Sequence, residues 1–278
     1  MTRLERIQFL NGILLEEMPA YKEDAATFPQ TEKSQRRLLR SLMNVRPPAQ
    51  INEDFLREQD ILLQEETREK GIVTLRDMPT VAEISKKKLT PQGAPADKII
   101  IWQGDITRLA TDAIVNAANS ALLGCFIPCH GCIDNAIHSA AGLQLRNACA
   151  YIMIQQGHEE PTGQAKITPA FNLPCRYVIH TVGPIIDAGH EPTKNQCALL
   201  ESCYKSCLNL AAENHLASIA FCCISTGEFH FPNYKAAEIA VRTVSDWLNA
   251  GNNVTVVFNV FKDADAEIYR DILVSREE

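Results

Sequence analysis

No run of apolar residues in these 278 residues approaches the roughly 18 that a membrane-spanning helix needs. The N-terminal stretch MTRLERIQFLNGILLEEMPAYKED carries acidic residues inside its apolar periodicity and has no signal-peptide cleavage pattern. The expectation is a cytoplasmic protein without membrane association. An excess of positive charge is missing too. The net charge is -7, which argues against bulk electrostatic binding to nucleic acid or to an anionic membrane. It leaves room for a ligand phosphate held locally by backbone amides. Internal repeats and low-complexity tracts are also absent.

Apolar residues are plentiful, at 46%, so a full core is expected. So is cysteine, with ten residues, and in a cytoplasmic chain these read as thiols or metal ligands before disulfides. Cys222 and Cys223 sit in the apolar run ASIAFCCI, and Cys203 and Cys207 lie one helical turn apart; these read as core residues.

The chain divides in two. Residues 1–90 read as helical: Leu4, Ile7, Leu10 and Leu14 recur at helical spacing, as do Leu38, Leu39, Leu42 and Met43. The RPP at 46–48 ends the second helix, because proline removes an amide and clashes with the preceding turn. Asn52 is a candidate cap for a third helix, with Glu53 and Asp54 in its first turn. The charge run at 57–70 reads as a solvated helix face, and KKKLTPQGAPADK at 86–98 as a linker. Beyond it, β-branched runs at 98–103, 112–117, 176–182, 217–224 and 253–260 alternate with helical segments near 133–155, 195–214, 233–250 and 263–274. Such alternation implies an α/β sandwich with a mostly parallel sheet, in which ligands bind beyond the carboxyl ends of the strands.

The loops at those ends carry the candidate chemistry. In GDIT, Asp105 can accept from an exocyclic amine, though an Asp after a Gly is also a common turn former. In VNAANS, Asn116 and Asn119 offer donors and acceptors suited to the vicinal hydroxyls of a sugar, or serve as loop caps. ISTGEFHFP can present backbone amides to a phosphate around Gly227, and it lacks the GK[ST] ending of a Walker loop. Phe229 and Phe231 can flank a sugar or base, or belong to the core.

The most unusual stretch is GCFIPCHGCIDNAIH at 124–138, with Cys125, Cys129, His130 and Cys132 in eight residues. Thiolate and imidazole suit zinc, and no second CxxC or HxxxH pair makes this a zinc finger. Zinc, packed inert cysteines and a reactive thiol all remain open at this point. A pairing of Cys129 with the adjacent His130 is geometrically poor, because neighbouring side chains diverge.

Taken in order, GDITRLATDAIVNAANSALLG, IDNAIHSAAG, GQAKITPAFNLPCRYVIHTVGP and STGEFHFPNYKAA resemble the successive ADP-ribose-binding segments of macrodomains. The resemblance covers about residues 98–275. The loop at 124–138 is similar to that of a zinc-containing bacterial subfamily with the pattern G-C-F-x-P-x-H-x-C-I-D-N-x-I-H. This implies a three-layer α/β/α macrodomain over residues 91–278, with a mixed, mostly parallel central sheet, preceded by a helical N-terminal extension over 1–90.

The resemblance also assigns roles. Asp105 would bind the adenine amino group, with Ile106 contributing from its backbone. Asn116 and Asn119 would face the distal ribose, and Ser225, Thr226, Gly227, Glu228 and Phe229 would wrap the diphosphate. Cys125, His130 and Cys132 match three zinc ligands, with one position open for substrate or water, while Cys129 falls on the variable position. Asp134 matches the acidic residue of the catalytic loop and, with Asn119, would be catalytic; alternatively it caps the helix that begins there. His138 is expected to be structural. His230 stands where macrodomains usually have glycine.

The implied activity is zinc-dependent removal of mono-ADP-ribose from modified proteins, from an acidic side chain, by a monomer. A sirtuin-like ADP-ribosyltransferase and a lipoyl-carrier protein are the implied partners. Two rivals remain: a non-catalytic ADP-ribose reader, and an esterase acting on O-acyl-ADP-ribose.

Overall fold

Short runs of Ile, Val and Ala cannot satisfy their backbone groups while buried unless they pair, and here they pair into one sheet. The computed structural model describes residues 1–187 and 189–274. Its six strands are β1 (Ile99–Gln103), β2 (Ala113–Ala118), β3 (Ala165–Pro169), β4 (Tyr177–Val182), β5 (Ser218–Phe221) and β6 (Thr255–Val260), in the order β1-β6-β5-β2-β4-β3. All neighbours are parallel except β3, which runs antiparallel to β4 at the edge.

Helices cover both faces. On one side α6 (Ile133–Ala141) packs against β2, and α7 (Leu143–Gln156) against β3. Then α8 (Lys194–Glu213) lies over β3, β4 and β5, α9 (Asn233–Asn249) packs between α8 and α10 (Asp263–Leu273), and α10 closes on β1 and β6. The core runs through Ile114, Val115, Ile179, Ile219, Val257 and Phe258, all essentially without exposure.

The extension holds α1 (Arg3–Glu17), α2 (Lys22–Ala26), α3 (Glu32–Val45), α4 (Glu53–Lys70) and α5 (Val81–Ser85). Its capping follows the sequence. Thr2 forms a capping box with Glu5, and Asn52 Oδ1 accepts from Phe55 N at 3.0 Å. Ile7, Leu10, Leu14, Leu39, Phe55 and Leu62 form a second, smaller apolar cluster that also takes in Leu143 from α7. Met78 and Val81 belong instead to the core beneath the sheet.

Several local expectations change. The segment 165–169 has no long apolar run, so it does not announce itself as a strand; as an edge strand it needs only one paired side, and it tolerates Pro169 at its end. The single helix expected near 133–155 is two helices, because Gly142 sits at φ +94, outside the helical region. Residues 86–98 are not a loose linker: Thr90 N donates to Ala94 O, Ala96 N donates to Lys88 O, and Thr90, Ala94 and Ala96 are buried. Gln59, inside the charge run, is fully buried and accepts from Leu143 N at 2.9 Å.

That junction is tight. A Cβ on Gly142 would lie 2.7 Å from Gln59 Nε2 and 2.6 Å from Gln144 Oε1. Gly142→Ala is therefore expected to cost about 1–3 kcal/mol of stability, combining the strained φ with overpacking. Urea denaturation of the two proteins measures it.

Candidate active site

Five parallel strands deliver their carboxyl ends to one edge, so the loops after β1, β2, β4, β5 and β6 are neighbours. The loop from β2 to α6 is the most constrained. Gly124 sits at φ +80, and a Cβ there would meet the His138 ring at 2.9 Å. Leu122 and Cys129 also adopt left-handed conformations, at φ 56 and 52. These turns fold the loop back so that Cys125, His130 and Cys132 place a ligand atom each within 4.8 Å of one another. Cys125 Sγ is 3.6 Å from His130 Nδ1. Cys129 points elsewhere: its sulfur lies 3.3 Å from Ser41 Oγ and 3.6 Å from Arg37 O.

Burial, with the Asn135 amide opposing it and the neighbouring Cys125 adding to it, pushes the Cys132 thiol up to about 12. Two crowded thiols and an imidazole can share one divalent cation that neutralises both thiolates, so this donor set fits a borderline-soft metal.

Asp134 follows directly. It is not the helix cap; Cys132 is, its sulfur accepting from Asn135 N at 3.4 Å. The Asp134 carboxylate lies in the first turn of α6, where the macrodipole favours it, and it is 5% exposed. Asn116 Nδ2 donates to its Oδ1 at 2.8 Å, and Asn119 Nδ2 reaches Oδ2 at 3.4 Å. Burial pushes its pKa up to about 6, with the Asn116 hydrogen bond and Arg146 opposing.

The two asparagines therefore separate. Asn119 is half-buried at the loop surface, where its amide also donates to Gly124 O. Asn116 has no exposed surface, and its amide is committed beneath Asp134, next to His180 Nδ1 at 3.2 Å.

After β5, Ser225 is buried at φ 65, its Oγ lacks a partner among the described residues, and it presses on Gly183, where a side chain would collide with it. The amides of Gly227, Glu228 and Phe229 donate to no oxygen within hydrogen-bond distance among the described residues. Consecutive amides without an acceptor are the groups from which backbone anion sites are built. Thr226 Oγ1 donates back to Cys223 O, and Phe231 is core while Phe229 is half-buried. His230 is exposed, at φ 55. Glu228 leaves the loop toward the other side: its Oε1 is 3.7 Å from His130 Nε2. After β1, Asp105 Oδ1 caps its own turn through Thr107, and Oδ2 faces Lys70 Nζ at 3.9 Å. Ile106 buries its side chain.

Several residues were not singled out from the sequence. His180 lies under the site with Thr168 Oγ1 at 3.0 Å from Nε2, and burial drives its pKa down to about 3. His138, Cys149 and His180 also cluster, but both His180 nitrogens already have partners. Arg146 stacks on Phe126 at 4.3 Å and donates to Leu123 O at 2.6 Å. A strand histidine and a helix arginine carry no local signal of this placement.

Comparison with known proteins agrees with this architecture. The family described as Macro domain matches residues 115–240. A protein of Treponema medium named Protein-ADP-ribose hydrolase is 54% identical over 98% of this chain and 100% of its own length. One of the same name from Staphylococcus aureus is 46% identical over 89% of this chain and 88% of its own. A Fusarium oxysporum protein named Probable bifunctional ADP-ribose hydrolase/ADP-ribosyltransferase is 41% identical over 85% of this chain but only 40% of its own length. The solved structure of a Trypanosoma brucei macrodomain in complex with ADP-ribose is similar, with TM-score 0.63 and 28% identity over 83% of this chain and 94% of that one.

His180 generates a pH prediction. Its folded pKa of about 3 lies below the 6.5 of the unfolded chain, so between these values only the unfolded state takes up its proton. Stability from this group is intact above pH 6.5 and is lost as pH falls toward 3, at up to about 1.4 kcal/mol per pH unit. In His180→Asn the slope over that window should be one proton shallower, read from denaturation midpoints across pH.

Proposed function

The chain belongs to the macro domain family, and on that premise we propose that it hydrolyses mono-ADP-ribose from modified proteins, with zinc held by Cys125, His130 and Cys132. The observation that carries this reading is the Asp134 carboxylate, fixed by Asn116 and Asn119 two residues after the last of the three donors. Relatives named as protein-ADP-ribose hydrolases over nearly the full chain support the activity.

In this reading the free amides at 227–229 and the buried hydroxyl of Ser225 take the diphosphate, with Thr226 shaping the turn. Asp105 and the Ile106 backbone meet the adenine edge. Asn119, with one face open, orients the distal ribose, while Asn116 serves it indirectly by setting the position of Asp134. When bound, zinc supplies Lewis-acid polarisation of an oxygen beside the scissile bond.

Asp134 then acts on water. Its Oδ1 is engaged by Asn116 at 2.8 Å, and Oδ2, held only by the longer 3.4 Å contact from Asn119, takes the proton of the attacking water. The new bond forms at the anomeric carbon of the distal ribose, and the bond from that carbon to the side-chain oxygen breaks, its electron pair leaving with that oxygen. An acidic side chain leaves as a stable carboxylate without needing a proton. That suits a site in which Asp134 is the carboxylate hydrogen-bonded by both asparagines, rather than a paired acid and base. The Fusarium relative's name joins hydrolase and ADP-ribosyltransferase in one protein, which supports an ADP-ribosyltransferase as functional partner; a sirtuin-like enzyme in that role and a lipoyl-carrier protein as the modified target rest on the resemblance of the 124–138 loop alone.

The test pairs metal analysis with turnover of a mono-ADP-ribosylated protein. Cys132→Ser should lose both the zinc and the activity, and Cys129→Ser should keep both, because its sulfur faces Ser41 instead. Asp134→Asn should bind ADP-ribose and lose roughly 100-fold or more in kcat. Binding without turnover in the unmodified protein makes it a reader, and faster cleavage of O-acyl-ADP-ribose makes it a small-molecule esterase. Full activity in metal-free protein removes zinc from the mechanism.

A further inference from the structure

The chemistry proposed above uses the strand-end loops and does not by itself call for α1 to α4. Yet α3 touches the loop that carries the metal donors, and it does so through polar groups in defined geometry. Arg40 Nε and Nη2 donate to Asn135 Oδ1 at 3.2 and 2.7 Å, and Nη2 also donates to His130 O at 3.3 Å. Asn135 is fully buried and ties the loop to itself. Its Nδ2 donates to Ile127 O at 3.0 Å, and its backbone N–H donates to Cys132 Sγ at 3.4 Å. One guanidinium is therefore a single bond away from the His130 backbone and two from the Cys132 sulfur.

We infer that Arg40 is a positioning residue, and that α3 forms the outer wall of the metal loop and holds its donors in register. A second contact works in the same direction. Asn44 Oδ1 accepts from Cys129 N at 2.9 Å while its Nδ2 donates to Ser139 Oγ on α6 at 3.0 Å. This spans loop and helix at the point where Cys129 holds a left-handed conformation, which a non-glycine residue keeps only when its surroundings enforce it. The helix is anchored in turn. Arg146 Nη1 donates to Met43 O and Asn44 O in the last turn of α3 and to Arg46 O at its C-cap, while its Nε donates to Leu123 O just before the loop.

Among the described residues Arg40 makes no ion pair; its donors meet neutral acceptors, so what it contributes is the shape of its planar fork. A lysine keeps the charge and cannot reproduce that two-point contact. Arg36, one turn earlier on α3, is the natural control, because its ion pair with Glu66 at 2.6 Å lies wholly within the extension.

The inference rests on the metal reading for its second readout and not for its first. The first is hydrogen–deuterium exchange on metal-free, full-length protein. Arg40→Ala should speed exchange across residues 125–135 roughly tenfold while the strands keep their protection, and Arg36→Ala should leave 125–135 unchanged. The second is zinc release to a chelator from loaded protein. Arg40→Ala should release zinc roughly 10- to 100-fold faster, in the range seen when groups that orient metal ligands are removed, with ADP-ribose affinity retained. Arg40→Lys should recover only part of the difference. Unchanged exchange in Arg40→Ala overturns the proposal, as does faster exchange with unaltered zinc release. Faster exchange in a protein whose wild type takes up no zinc supports the clamp and sinks the metal reading alone.

Discussion

Much of this structure hangs on the hydrogen bond from Asn116 Nδ2 to Asp134 Oδ1, 2.8 Å long and out of reach of water. It joins the end of β2 to the first turn of α6. Everything between these two points is loop, and the loop has only local turns and its neighbours to hold it. Placing a carboxylate in a nearly dry position is costly, and the partner amide together with the helix N-terminus offsets that cost. The same arrangement leaves Asp134 with one engaged oxygen and one freer one. Asn116 is itself supported by His180, which burial keeps neutral and whose other ring nitrogen meets Thr168 on the edge strand. The polarity under the site is thus layered, running from Asp134 through Asn116 and His180 to Thr168.

The helical extension ties its helices α1 to α4 to the macrodomain by a set of polar contacts, while its Met78 and Val81, further along, pack into the macrodomain core. Its own apolar cluster is small and borrows Leu143, while the contact surface is dense in directional bonds from Arg40, Asn44, Gln59 and Arg146. Directional bonds specify position where apolar packing only favours closeness. A loop that must hold three donors within a few ångströms benefits from the former.

How legible this was in the sequence depends on how local each signal is. The helices of the extension announced themselves because their periodicity, the Asn52 cap and the RPP stop are written within a few residues of one another; the Thr2 cap emerged only with the structure. The inner strands did so through uninterrupted β-branched runs. The edge strand at 165–169 did not, since half of its surroundings are solvent and its composition is mixed. That Cys125, Cys129, His130 and Cys132 could meet was legible because all four lie on one short loop, but the choice of Cys125, His130 and Cys132 came from the family resemblance and not from their spacing. Whether Asn116 faces solvent or Asp134 was not, because that depends on how β2 sits against α6. Arg40 and Arg146 were invisible for the same reason: about 95 residues separate Arg40 from Asn135, and nothing near either one marks the pairing.

Glu228 belongs to the loop with the free amides, yet its carboxylate reaches His130 on the facing loop. The two walls of the site approach each other at their rims through this one pair, at a separation beyond a hydrogen bond. On the proposed reading, a metal that draws in the imidazole of His130 would change the field on that carboxylate, and by thermodynamic reciprocity an anion seated on the loop would bias the imidazole by the same free energy. The two ends of the site would then be coupled through a single electrostatic neighbour rather than through the backbone.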